Sequence, residues 1–142
     1  MHSAIDFKQL ANAVGDAIVV CDANGAITFW NPAAERMFGF AEHEALGQSL
    51  DLIIPERQRQ RHWDGYHKTM QTGQTRYGND VLRVPALHKD GHTLSIAFTV
   101  AMLFSAEQAV TSIIAIIRDE TARFAEDRNL RKRLVELEAK AG

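Results

Sequence analysis

A chain of 142 residues with 46% apolar and 24% charged residues has the size and composition of one folded domain with a sizeable core. A formal net charge of −2 supplies no global basic field for nucleic acid or an anionic membrane, and the single cysteine, Cys21, excludes an internal disulfide and a multi-cysteine zinc site. Apolar runs such as 113–117 are too short to span a bilayer, and the N-terminus lacks the basic and apolar regions of a signal peptide, so the cytoplasm is the expected location.

Ile5, Phe7, Leu10 and Val14 recur at roughly helical spacing and predict a helix over 5–13 with Ser3 as its N-cap. Strands follow at 17–21 and 26–30, joined by Asp22-Ala23-Asn24-Gly25, whose Asn-Gly supplies the positive φ angles of a tight hairpin. Asn31 before Pro32 is an N-cap followed by proline at the first helical position. The helix it opens, 32–38, stops at Gly39, and a second short one, 42–46, ends at Gly47. After a connecting segment, 48–55, a longer helix runs over 56–72 to Gly73. Strands are then predicted at 81–88, 93–104 and 109–118, with a Lys89-Asp90-Gly91 turn between the first two. The middle strand alternates Leu94, Ile96, Phe98 and Val100 on one face. From Asp119 onward the pattern is helical and charged, with Leu130, Leu134 and Leu137 at 4,3 spacing below Phe124. So narrow a stripe fits a short coiled coil or a helix folded back on its own domain.

The order predicts an α+β architecture: a five-stranded antiparallel sheet with short helices on one face and flanking helices at both ends. The units are an N-terminal helix (1–15), a central domain (16–121) and a C-terminal helix (122–142).

The chemistry-bearing residues offer no nucleophile–base pair, phosphate-cradling glycine loop or paired carboxylates, so an enzyme is not expected. His62 lies at the edge of the helical stripe Trp63, Tyr66, Met70, which an ordinary helix histidine would also do. His67 points about 140° away from it and cannot share a metal ion with it. His88 and His92 flank a turn and read as solvated, while His2 and His43 have no company. Arg57, Arg59, Arg61 and Lys68 with Trp63 and Tyr66 have the composition of a nucleic-acid surface. Asp64 interrupts that cluster and a solvated helix face accounts for it, so no direct nucleic-acid contact is expected, nor a membrane one.

Taken jointly, DAIVVCDANGAITFWNPAAERMFGF (16–40), Glu44–Gly47 with Ile53-Ile54-Pro55, Lys89-Asp90-Gly91, and the run Ile116–Thr121 resemble a PAS domain over residues 7–121. That resemblance implies sensing: a ligand or cofactor between sheet and helices, and a flanking helix that carries the signal. The flavin photosensors of the family are marked by a cysteine just before the long helix. Residues 49–57 have none, so a flavin adduct is not expected and Cys21 reads as core.

Pro55-Glu56 leading to Arg61-His62 is similar to the FixL-type haem branch, where the iron-ligating histidine follows the proline by seven residues. This implies haem b held by His62, for gas or redox sensing. Tyr66 shares the helix, and Leu94, Ile96, Phe98 and Val100 would wall the pocket. Arg61, Arg57 or Arg83 would meet the propionates. Leu82 stands where that branch carries an oxygen-binding arginine, with Arg83 beside it on the opposite face. The rival expectation is a cofactor-free PAS dimerisation and protein-interaction module, with Trp30, Phe98 and Met102 as simple core. Either way the resemblance implies a homodimer through the terminal helices. It also implies a protein partner, reached in trans or through a domain outside this chain.

Overall fold

The computed structural model describes residues 4–74 and 80–141, and within them the elements follow the local chemistry of the chain. Asp6 caps helix α1 (Phe7–Ala13), its carboxylate accepting from the Gln9 N–H at 3.1 Å. Ser3, the expected cap, lies outside the described residues. Strands β1 (Ala17–Asp22) and β2 (Ile27–Trp30) close around Gly25, whose φ of 82° only glycine adopts without strain. Asn31 opens helix α2 (Pro32–Phe38) by accepting from the Ala34 N–H at 3.0 Å, and Gly39 ends it in the left-handed conformation. Helix α3 (Glu42–Ala45) and a 3-10 turn (Leu50–Ile53) lead to helix α4 (Glu56–Thr72). Strands β3 (Leu82–Leu87), β4 (Thr93–Phe104) and β5 (Val110–Asp119) precede helix α5 (Thr121–Ala141).

The five strands form one antiparallel sheet in the order β2-β1-β5-β4-β3. Cross-strand partners share a face, so the register sorts the side chains. Ala17, Val19 and Cys21 oppose Ile117, Ala115 and Ile113, which in turn oppose Phe98, Val100 and Met102. Leu82, Val84 and Ala86 extend this face across β3, opposite Phe98, Ile96 and Leu94. This is the inner face. Its cluster includes Trp30, Phe38, Ile27 and Ala34, and Tyr66 of α4 joins it.

The outer face carries Arg83, Ser95, Ala97 and Arg118. Here the start of α5 docks: Glu120 donates its N–H to the Ser95 carbonyl at 2.8 Å, and Thr121 Oγ1 accepts from the Ser95 N–H at 3.0 Å. Beyond that point α5 buries nothing, and Leu130, Leu134 and Leu137 are 61%, 57% and 64% exposed. Of the two arrangements left open by the stripe, the fold-back onto the domain is not the one adopted.

The α+β sheet with flanking helices is the architecture expected. Two boundaries moved for identifiable reasons. Ala26 falls outside β2: its carbonyl accepts from the Asp22 N–H at 2.9 Å, but it forms an isolated bridge with Ser49, while Gln48 and Gly47 bond to the N–H and carbonyl of Ile27. The last helix starts at Thr121 because Asp119 is still paired with Ile96, and its carboxylate accepts from the Thr121 N–H at 2.9 Å. No helix among the described residues is long and apolar enough to cross a membrane.

Candidate functional site

Helix α4 is fastened to the rest of the domain by side chains more than by burial, since only Tyr66 of its 17 residues is fully buried. At its start Arg59 Nε donates to the Ile54 carbonyl at 3.0 Å and its Nη2 to the Asp51 carbonyl at 3.3 Å. One turn on, Trp63 Nε1 donates to Asp51 Oδ1 at 2.7 Å. The ring of Trp63 lies on Gly25, where a Cβ would meet it at 2.3 Å. Tyr66 then donates its hydroxyl to the Asp22 carbonyl. Arg59 thus ties the start of α4 to the segment before it, Trp63 and Tyr66 hold the helix against the β1–β2 turn, and burial, with the Asp22 charge, pushes the Tyr66 phenol up.

His62 sits between them. Its ring stands edge-on to Trp63 with centroids 4.6 Å apart and tilted to Tyr66 at 5.8 Å. Nδ1 is buried and has no hydrogen-bond partner among the described residues. Burial pulls the imidazole below its ordinary value of 6.5, opposed by the Asp51 carboxylate, so the ring is neutral at physiological pH. A buried polar atom without a partner costs stability, and such atoms are rare in native folds. His62 therefore lies deeper than an edge position on the stripe implies.

The inner sheet face supplies the apolar wall. Leu94 and Ile96 are buried, while Leu82, Phe98 and Val100 are half-buried. Leu82 is directly opposite Phe98, so it shares one face with the four expected wall positions, the face whose cluster contains Tyr66. Arg83 stands on the other face opposite Ala97, and its guanidinium pairs with Glu120 at 3.5 Å. Arg61 is solvent-exposed. Arg57 lines an open cleft of about 610 Å³ beside the first turn of α4, together with Pro55, Glu56, Pro85 and Thr93. Cys21 is a buried thiol pushed up to about 12 by burial and by the neighbouring Asp22 charge, so it stays protonated.

Residue-by-residue reading missed two partners of the site, Asp51 and Gly25. The available signal for Asp51 was that a partly buried tryptophan needs an acceptor for its N–H. For Gly25 there was none, because its turn role already explained it.

A profile of the PAS fold matches residues 5–119. The sensor protein FixL of Bradyrhizobium diazoefficiens is 38% identical over 65 residues, covering 46% of this chain and 13% of that protein. The oxygen sensor protein DosP of Escherichia coli is 26% identical over 131 residues, covering 92% of this chain and 16% of that protein. This chain thus spans about a seventh of the length of either relative. A PAS domain of a Colwellia psychrerythraea protein has the same fold, with a TM-score of 0.72 and 24% identity over 82% of this chain and 95% of that one.

Proposed function

The chain belongs to the PAS fold family, and from that premise we propose that it is a sensing domain whose pocket, between α4 and the inner sheet face, binds haem b through His62. The observation that carries this is the buried Nδ1 of a neutral His62, without a partner among the described residues, on a helix facing an incompletely buried apolar wall. A neutral imidazole is a ligand for haem iron, and a porphyrin needs apolar surroundings. The residues present fit the group. Leu82, Leu94, Ile96, Phe98 and Val100 would wall it, Tyr66 would close the helix side, and Arg57 or Arg61 would meet its carboxylates.

When bound, haem would supply a gas-binding or redox-active iron. Oxygen as the signal draws support from the relative named as an oxygen sensor, which aligns along nearly the whole chain. The chain's own part is to exclude water with the inner face and to hold the His62 ring against Trp63 and Tyr66. A shift of α4 would reach β1 and β2 through the Trp63–Gly25 and Tyr66–Asp22 contacts. From there it passes across the sheet to β5 and α5. Arg83, paired with Glu120 on the outer face, sits on the α5 end of that route.

Protein expressed with a haem precursor is expected to show a Soret band that shifts with carbon monoxide after dithionite reduction. His62→Ala should abolish the band and His67→Ala should retain it. A flat spectrum, or a band indifferent to His62→Ala, overturns the haem reading.

A second reading is favoured by a separate observation. Ile5, Phe7 and Leu10 of the N-terminal segment and Phe124, Leu130, Leu134 and Leu137 of α5 are exposed apolar residues on otherwise polar helices. A cofactor-free PAS module that dimerises through these helices and binds a protein partner would account for them. The same spectrum separates the two, since this module has no Soret band.

A further inference from the structure

We infer that the β3–β4 hairpin is a binding site for one divalent transition-metal ion, with His88, Asp90 and His92 as its ligands. Each of the three side chains offers a donor atom, and the three atoms lie within 4.8 Å of one another. Tetrahedral zinc, with ligands at about 2.0–2.1 Å, places its donors about 3.3 Å apart. His88 Nδ1 is already 3.2 Å from Asp90 Oδ1, and His92 Nδ1 contacts the same oxygen.

The turn is built to hold the donors in place. Gly91, at φ 95°, lets its N–H reach the His88 carbonyl at 2.9 Å, and the His88 N–H bonds the His92 carbonyl at 3.0 Å. Two further bonds orient the ligand groups themselves. The Asp90 N–H donates to His88 Nδ1 at 3.1 Å, so that lone pair faces the turn, where an ion would replace the bond. The His92 N–H donates to Asp90 Oδ1 at 3.0 Å and fixes the orientation of the carboxylate. The imidazoles stack with centroids 4.5 Å apart and planes 19° from parallel, which holds the two rings side by side.

The surroundings agree. The His88 ring rests on Gly39, where a Cβ would come within 2.5 Å of it, so the end of α2 fixes its position. The Lys89 ammonium, next in sequence, is drawn away from the donors to Glu44 at 2.6 Å. Two imidazoles and one carboxylate select zinc, nickel or copper over magnesium or calcium, and three protein ligands leave a position for water or an outside ligand. The site is independent of the α4 pocket.

The test is calorimetric titration of the whole untagged chain with zinc chloride, repeated with cobalt(II) to read the coordination spectrum. One equivalent is expected to bind. His92→Ala and Asp90→Asn should each weaken binding by about tenfold or more, whereas His43→Ala and His67→Ala should leave it unchanged. His92 is 53% exposed, so its removal leaves the core intact, with circular dichroism as the check. No uptake overturns the site, as does uptake that survives His92→Ala and Asp90→Asn or is lost in His67→Ala.

Discussion

Asn31 has no solvent exposure and makes four hydrogen bonds to backbone. Its Oδ1 accepts from Ile18 at 2.9 Å and Ala34 at 3.0 Å, while Nδ2 donates to the Ala11 carbonyl at 2.9 Å and the Asp16 carbonyl at 3.1 Å. One amide therefore joins the end of α1, the start of β1 and the first turn of α2. Asn31→Ala leaves these backbone groups unpaired, and the urea midpoint should fall by the equivalent of about 3 kcal/mol. Asn31→Asp should also destabilise, because a carboxylate oxygen would then face two carbonyls. His62 yields a pH prediction with a definite sign. The fold holds its ring neutral, whereas the unfolded chain takes up a proton below the ordinary 6.5. The unfolded state thus binds more protons there, and stability should be intact above that pH and decline as pH falls through it. Urea midpoints at pH 7.5 and 5.5 should therefore differ less in His62→Gln than in the native chain. Equal differences would mean that the ring is not held neutral by burial.

At the scale of elements, α4 depends on a few fixed contacts, which makes one glycine unusually sensitive. A Cβ at Gly25 would sit 2.3 and 2.4 Å from ring atoms of Trp63, and the ring cannot retreat without losing its bond to Asp51. Gly25→Ala should cost about 3 kcal/mol, combining overpacking with the left-handed backbone, and should alter tryptophan fluorescence. Gly47 has nearly the same φ, 83°, with nothing within 4 Å of its Cβ position. Gly47→Ala should therefore cost only about 1 kcal/mol and leave the fluorescence unchanged. If the two variants lose equal stability, the Trp63–Gly25 contact does not hold α4.

At the scale of the whole molecule, the domain and its two terminal helices are joined lightly. Arg118 places Nε and Nη2 each 3.3 Å from a carboxylate oxygen of Asp16, tying the α1–β1 connection to the end of β5 just before α5. The pair is largely exposed and contributes little stability, so its value is in setting where α5 departs. Because α5 buries no residue, deleting 124–142 should change the unfolding free energy by no more than about 0.5 kcal/mol. In the proposed dimer, Leu130→Lys with Leu134→Lys should shift sedimentation towards monomer while melting stays the same. Destabilised melting would mean that the stripe packs on its own domain.

Taken alone, the chain determined whatever rests on neighbours in sequence. Asn31-Pro32 and Gly39 delimit a helix, Asn24-Gly25 makes a turn, and alternation along β4 puts Leu94, Ile96, Phe98 and Val100 on one face, because caps, φ preferences and strand periodicity are local. The motif order was enough to identify the PAS fold. Tertiary structure alone decided the contacts between distant segments. It bonded Trp63 to Asp51, seated that ring on Gly25, left His62 Nδ1 without a partner among the described residues, and turned Arg83 towards Glu120. It also brought His88, Asp90 and His92 into one cluster, although its ends are only four positions apart in sequence. Their convergence depends on the hydrogen bonds of one turn and on Gly39 beneath the His88 ring, and spacing in the sequence encodes neither.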